Sequence, residues 1–351
     1  MIERHLIHIG FLALAAWLAP VCWTPTVAQT ATPAVRTKSK SPTAKWTPPR
    51  TADGHPVFEG VWNSSSLTPL ERPVELGSKE FYSEEEVAAY TQKRRKEMSR
   101  ERRDGGAEAD LGRAYNEEWY DRGTEIGRNR RTSRIVDPPN GRFPPMTPEG
   151  QKRFDETRAW LDKHSTDAAE DQPLYVRCLA ASQAGPPMLP GNYNNNYQIV
   201  QTPGYFAILS EQPHQTRIVP LTQHSPLPQD VKQWMGDSRG HWEGDTLVVE
   251  TSNLRFNDQS KFGNQYDGIA DDNLRVTERF ARTAADLIIY RATIIDPTVY
   301  TKPWTIELPL QKVTEPVYEY ACHEGNYGLA GILSGARAEE KKAAEQNLGH
   351  R

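Results

Sequence analysis

Cysteine is scarce in this 351-residue chain: there are three, and Cys22 falls in the N-terminal leader, which leaves Cys178 and Cys322. That count excludes a scaffold of several disulfides and a multi-cysteine zinc site. Excess positive charge is missing too. The formal net charge is −4, which argues against a nucleic-acid-binding surface. The N-terminal apolar run, Leu6 to Leu18, is broken by His8 and Gly10 and is too short for a comfortable membrane span. There is no Gly-rich phosphate loop, nucleophile elbow or paired Cys-x-x-Cys site, so serine-hydrolase and nucleotide-dependent chemistry are not expected. No organic cofactor is expected either.

What is present begins with an export signal. Arg4 supplies positive charge, the short apolar run follows, and Thr26-Val27-Ala28 offers small residues for cleavage after Ala28. Losing residues 1–28 removes one acid, Glu3, and one base, Arg4, so the net charge stays at −4. The mature chain is then expected to be periplasmic or secreted, with no membrane association. In an oxidising compartment the two remaining cysteines are expected to join. Closing so long a loop is worth roughly 4–5 kcal/mol in the chain-entropy model. The bond would also make the first and last strands of the β region neighbours.

Composition divides the rest. Residues 29–53, rich in Thr, Pro, Ser and Lys, read as a disordered linker. Residues 54–172 read as a charged helical and irregular wrapping arm, with a first strand near 57–63. In it, Ser83 with Glu86 forms a capping box opening a helix to about Arg103, stopped by Gly105-Gly106. Thr147-Pro148-Glu149 opens a second helix. Residues 173–330 switch to a period of two. Tyr197–Thr202, Tyr205–Glu211, Arg217–Leu221, Asp237–Trp242, Thr246–Thr251, Leu274–Arg282, Leu287–Ile295, Trp304–Leu310 and Val317–His323 alternate across short turns without intervening helices. This predicts a mainly β fold, an antiparallel meander of about eight strands closing into a lipocalin-like barrel; an open sheet or sandwich is the alternative. Residues 331–351 read as a charged C-terminal helix or tail.

Three long motifs stand out: Pro190-Gly191-Asn192-Tyr193-Asn194-Asn195-Asn196-Tyr197 running on to Tyr205, Gly236-Asp237-Ser238-Arg239-Gly240-His241-Trp242-Glu243-Gly244-Asp245 running on to Glu250, and Glu319-Tyr320-Ala321-Cys322-His323-Glu324-Gly325-Asn326-Tyr327. Together they resemble a family of exported bacterial proteins over nearly the whole mature chain. That resemblance implies export and brings no activity with it. Gly60-Val61-Trp62 is similar to the first-strand Gly-x-Trp of calycins, the lipocalin-like barrels. Calycins pass directly from this Trp into the barrel; here a long arm intervenes.

Alternation also sorts candidate chemistry. Glu278 shares a strand face with Leu274, Val276 and Phe280, either as a general acid or base or as the buried partner of an arginine. His323 lies beside Cys322, and Glu319, roughly 13 Å away along a strand, cannot reach it. His214, in a turn with Pro213, and Arg217, at a strand start, could sit at a barrel mouth and clamp an anion. The candidate catalytic set is therefore His214, Arg217, Glu278 and His323. Candidate ligand contacts are Asn194, Asn195, Tyr197, Arg239, Trp242 and Glu324. For the asparagines the competing role is turn-building, for Arg239 a local pair with Asp237, and for Trp242 core or rim packing. His224 and His241 could add metal ligands, but no recognised spacing joins them, so no metal is expected.

The expected partner is a small molecule. One reading is a cofactor-independent lyase, isomerase or hydrolase. Its rival is a non-catalytic ligand-binding barrel, and a third is an interaction surface around Tyr115, Trp119 and Tyr120. If the export reading holds, intact-mass measurement of the exported protein gives a chain starting at Gln29; a mature chain still carrying Met1 would refute it.

Overall fold

The structure, a computed structural model, describes residues 46–113, 117–222, 225–255 and 272–349. The signal segment 1–28, residues 29–45 of the linker, Tyr115 and His224 lie outside the described residues. Contacts begin ahead of Gly54: Arg50 holds Asp245 in a two-pronged ion pair of 2.6 and 2.9 Å.

The architecture is mainly β. In chain order the elements are β1 (Gly60–Asn63), α1 (Glu84–Met98), α2 (Gly106–Leu111), β2 (Ile135–Asp137), α3 (Pro148–His164), β3 (Asn196–Gln201), β4 (Tyr205–Ser210), β5 (Gln215–Pro220), β6 (Asp237–Glu243), β7 (Thr246–Ser252), β8 (Arg275–Ala284), β9 (Leu287–Ile295), β10 (Trp304–Val313) and α4 (Tyr327–Gly349). One ten-stranded antiparallel sheet runs β5-β4-β3-β1-β10-β9-β8-β7-β6, with β2 attached to β10. No ladder joins β5 to β6 among the described residues, so the sheet does not close.

The turns follow local chemistry. At Pro203-Gly204 the Thr202 hydroxyl accepts from Tyr205 N at 3.0 Å. Gly244, at φ +59°, turns β6 into β7. Both halves of the Ser83/Glu86 capping box form, though α1 stops at Met98 and Gly106 opens α2. Thr147 caps α3 through Gly150 N. Val87, Tyr90 and Met98, the weak stripe of α1, pack on a small cluster of Leu67, Tyr82 and Ile126.

Alternate residues of the strands build one large core. Trp62, Tyr197, Phe206, Phe280, Tyr290, Ile306 and Leu308 are all buried there. Phe206 on β4 lies 5.6 Å from Phe280 on β8, and Phe280 lies 5.0 Å from Tyr290 on β9. Since β4 and β8 are far apart along the sheet, it bends until its two halves face each other.

Two expectations are corrected. Val317–His323 is not a strand but an irregular segment and turn. β10, the strand just before it, already carries β9 on one edge and β1 and β2 on the other, and the Cys178–Cys322 bond ties the segment to the loop ahead of β3 instead of to a sheet edge. The Cys178–Cys322 bond forms, with Cα atoms 5.8 Å apart, but it does not join neighbouring strands. The strand beside β3 is β1, which inserts between β3 and β10.

The arm docks on the outer face of β10. Glu307 takes Arg131 Nε at 2.6 Å and Asn129 Nδ2 at 3.0 Å on one oxygen, and Arg291 Nε at 2.7 Å on the other. Burial alone would raise the Glu307 pKa, but the two arginines outweigh it and hold the carboxyl below its ordinary value. A depressed folded pKa gives stability that is present above the unfolded value of about 4.3 and is lost as pH falls through the folded one. Glu307→Gln is therefore expected to cost about 1–3 kcal/mol at pH 7. In urea unfolding the gap to wild type should narrow toward pH 3, and a pH-independent gap would refute this.

Candidate functional site

Two residues singled out separately, Arg217 and Glu278, meet in the core. On β5, Arg217 and Val219 face inward while Thr216 and Ile218 face out, so the guanidinium crosses the interior toward β8. Arg217 Nη2 donates to Glu278 Oε1 at 2.8 Å and Nη1 donates to Oε2. Tyr290 Oη also donates to Oε1 at 2.8 Å, and the same hydroxyl accepts from Met188 N at 2.9 Å. Burial pushes the Tyr290 phenol well above its ordinary pKa, and the Glu278 charge adds to that. Burial opposes the Arg217 charge, but Glu278 outweighs it and the guanidinium pKa ends raised. Both carboxylate oxygens are thus occupied by donors that stay protonated at neutral pH. Of the two roles open to Glu278, the geometry is that of the buried arginine partner.

Beside this pair the free edges of β5 and the segment leading into β6 leave a cleft of about 520 Å³. Its walls are Gln215–Ile218 on one side and Gln233–Gly236 with Ser238 on the other. Asn253, at φ +56°, fixes the second wall: its Nδ2 donates to Pro228 O at 2.7 Å and Val231 O at 3.0 Å. Gln233 N donates to Asn253 O at 3.0 Å, and Arg255 lies over the Trp234 ring at 4.8 Å. Gly236 has φ +69°, and a Cβ there would fall 2.6 Å from Ser252 O, so only glycine fits.

The other candidates disperse. His214 is exposed in its turn, and His323 and Glu324 are exposed in the segment after β10. No cavity described here brings these histidines to Arg217 and Glu278. Asn194 sits at φ +55°, a turn position. Asn195 is buried as a brace, its Oδ1 accepting from Gly191 N at 2.8 Å and its Nδ2 donating to Asp121 O at 2.7 Å. Tyr197 is buried, and burial raises its phenol pKa. Arg239 pairs locally with Asp237 at 3.7 Å. Trp242 stacks on His55 at 4.3 Å, at the far end of β6 from the cleft. Among the described residues no group of three or more His, Cys, Asp or Glu could hold a metal.

Sequence reasoning missed Asn253, Gln183, Gln212 and Asp121. Desolvation by the surrounding protein, and then the nearby Glu211 charge, raise the pKa of Asp121. Amides link the two carboxylates: Asn63 Nδ2 donates to Asp121 Oδ2 at 3.4 Å and to Asn196 Oδ1 at 2.8 Å, and Asn196 Nδ2 donates to Glu211 at 2.9 Å. Such loop residues acquire meaning only from partners far away in sequence.

Fold and site together define a mainly β protein with one bent antiparallel sheet and a cleft at its unpaired seam. No protein-family model, curated protein or solved structure matches the chain.

Removing one member of a buried ion pair strands the other, at a cost of about 3–5 kcal/mol. Arg217→Met and Glu278→Leu should each lose that much in urea unfolding, while the double variant recovers most of it. Additive losses would show that the two side chains are not coupled.

Proposed function

We propose that the protein is exported and binds a small molecule without transforming it, the ligand sitting in the cleft between β5 and β6. The cleft carries this reading. At about 520 Å³ it has the size of ordinary small-molecule sites. Its walls mix amides and hydroxyls (Gln215, Gln233, Thr216, Ser238) with apolar surface (Ile218, Trp234, Met235), which suits an amphipathic ligand.

Catalysis by acid and base would need two titratable groups converging on one ligand position. Among the described residues the cleft lining holds a single one, Arg217, and that one is committed to Glu278. The Cys178–Cys322 bond accords with an oxidising compartment, and no described helix is long and apolar enough to cross a membrane.

The sheet is read as an interrupted barrel. Its strands follow chain order around a ring, β10 pairs with β1, and the break falls between β5 and β6. Part of that break is bridged by side chains: a Cβ on Gly240 of β6 would sit 2.7 Å from Leu221 and 3.0 Å from Val219. The cleft is the remaining mouth.

Native mass spectrometry of the protein purified from its exported compartment should show a co-purifying small molecule. Trp234→Ala should weaken its retention at least tenfold, about 1.4 kcal/mol. Full retention by Trp234→Ala would overturn the cleft. Conversion of the bound molecule to a new mass, abolished by Glu278→Gln, would overturn the non-catalytic reading.

A further inference from the structure

A second cavity lies beside the first long motif, with Tyr320 of the third bonded to Gln212 in its wall. It measures about 170 Å³ and opens between the loop around Ala181–Tyr193 and the β4–β5 turn. Tyr175, Ser182, Gln183, Asn192, Tyr193 and Gln212 supply its polar and aromatic lining. None of these side chains is ionised at neutral pH. Two of them, Gln183 at 3% and Gln212 at 6% exposure, are buried amides.

A network holds this lining in place. Gln183 Nε2 donates to Gln212 Oε1 at 2.6 Å and to Tyr193 O at 3.2 Å, while Ser182 Oγ donates to Gln183 Oε1 at 3.2 Å. Gln212 Nε2 donates to Tyr320 Oη at 3.3 Å. Gly191 permits the approach, since a Cβ there would collide with the Gln183 amide. Tyr320 itself belongs to a segment with no regular structure. That segment is held by the Cys178–Cys322 bond two residues on and by Asn326 Nδ2 donating to Val176 O at 2.8 Å.

Each broad ligand class can be weighed against this lining. A charged ligand would be desolvated with no counter-charge in the walls. A purely apolar one would strip water from the Ser182 hydroxyl and the exposed Asn192 amide of the lining without replacing its hydrogen bonds. A ring bearing several hydroxyls meets both demands, because each hydroxyl donates and accepts and the ring's C–H faces suit aromatic walls. The volume, below the roughly 300 Å³ at which drug-sized sites begin, limits the ligand to a single ring.

We infer that this niche is a second binding site, for one ring of a neutral polyhydroxylated molecule such as a monosaccharide unit, and that the disulfide keeps Tyr320 in place against Gln212, the wall residue it braces. Oxidation state then sets affinity without the disulfide touching the ligand, by holding or releasing the segment that carries Tyr320.

The test is saturation-transfer NMR on the mature protein with glucose, galactose and N-acetylglucosamine as probes. At least one should show transfer to its ring protons. Gln212→Leu should abolish the signal; Asn192→Ala, at an exposed position, should reduce it at least threefold and keeps the test decisive if the first variant fails to fold. Reducing the disulfide, with the sheet still folded by circular dichroism, should weaken binding at least tenfold. Absence of transfer for all three sugars, or transfer that survives both substitutions, would overturn the site. Sugar binding indifferent to reduction would overturn the role given to the disulfide.

Discussion

Four residues, Gly60–Asn63, hold the two parts of the sheet together. On one edge they pair with β3, from Gly60 opposite Ile199 to Asn63 opposite Asn196; on the other Val61 meets Val313 and Asn63 meets Gln311. Without β1 the ladder falls into a three-strand piece, β3–β5, and a piece containing β6–β10. The side chains make the same point. Trp62 is fully buried and its indole N–H donates to Phe58 O at 2.8 Å, while Arg282 and Lys312 lie 5.5 and 5.7 Å from its ring. Both partners of β1 are remote in sequence, so this joint forms only after long loops close, the slow kind of contact in folding.

The arm that separates β1 from β3 has its own structural logic. It covers the outer face of β10, which explains why that strand is buried on both sides and carries a carboxylate, Glu307, among apolar neighbours. It also accounts for Pro309. Proline cannot donate to a ladder and is normally confined to edges. One edge of β10 is shared, β2 taking Thr305–Ile306 and β1 taking Gln311–Val313. Pro309 falls between the two, where no strand occupies that edge, and Gly127 of the arm fits against its ring because a Cβ would approach Pro309 Cγ to 2.7 Å.

The fold is legible in the sequence where the physics is local. The capping box at Ser83, the Thr147 cap, the Pro203-Gly204 and Gly244 turns and the face of Glu278 all follow from neighbours within a few residues. Val317–His323 alternates as a strand should, yet alternation carries no information about whether an edge is free. The three-residue strand β2 was missed for the opposite reason: Ile135–Asp137 is too short to show a period and exists because β10 offers it an edge. Arg217 and Glu278 were each singled out, but their pairing required the knowledge that β5 faces β8, which is a property of the bent sheet and not of either strand.

That pairing bears on why a charged pair stands at the seam at all. A buried ion pair is weak evidence for stability, since apolar residues of similar volume often serve as well. What it provides is direction. β5 has a ladder partner on one side only, so among the described residues no ladder on its other edge fixes how far it stands from the facing wall. Apolar contacts between Val219 and Leu221 of one edge and β6 tolerate sliding, because dispersion has no preferred angle. A bidentate guanidinium–carboxylate contact does not, for its two parallel bonds fix both separation and orientation. Tyr290, anchored by Met188 N, fixes the carboxylate in turn. The back of the cleft is therefore set by geometry that a hydrophobic pair would leave loose, and the seam can stay open at Gln215–Ile218 without the edge strand drifting closed.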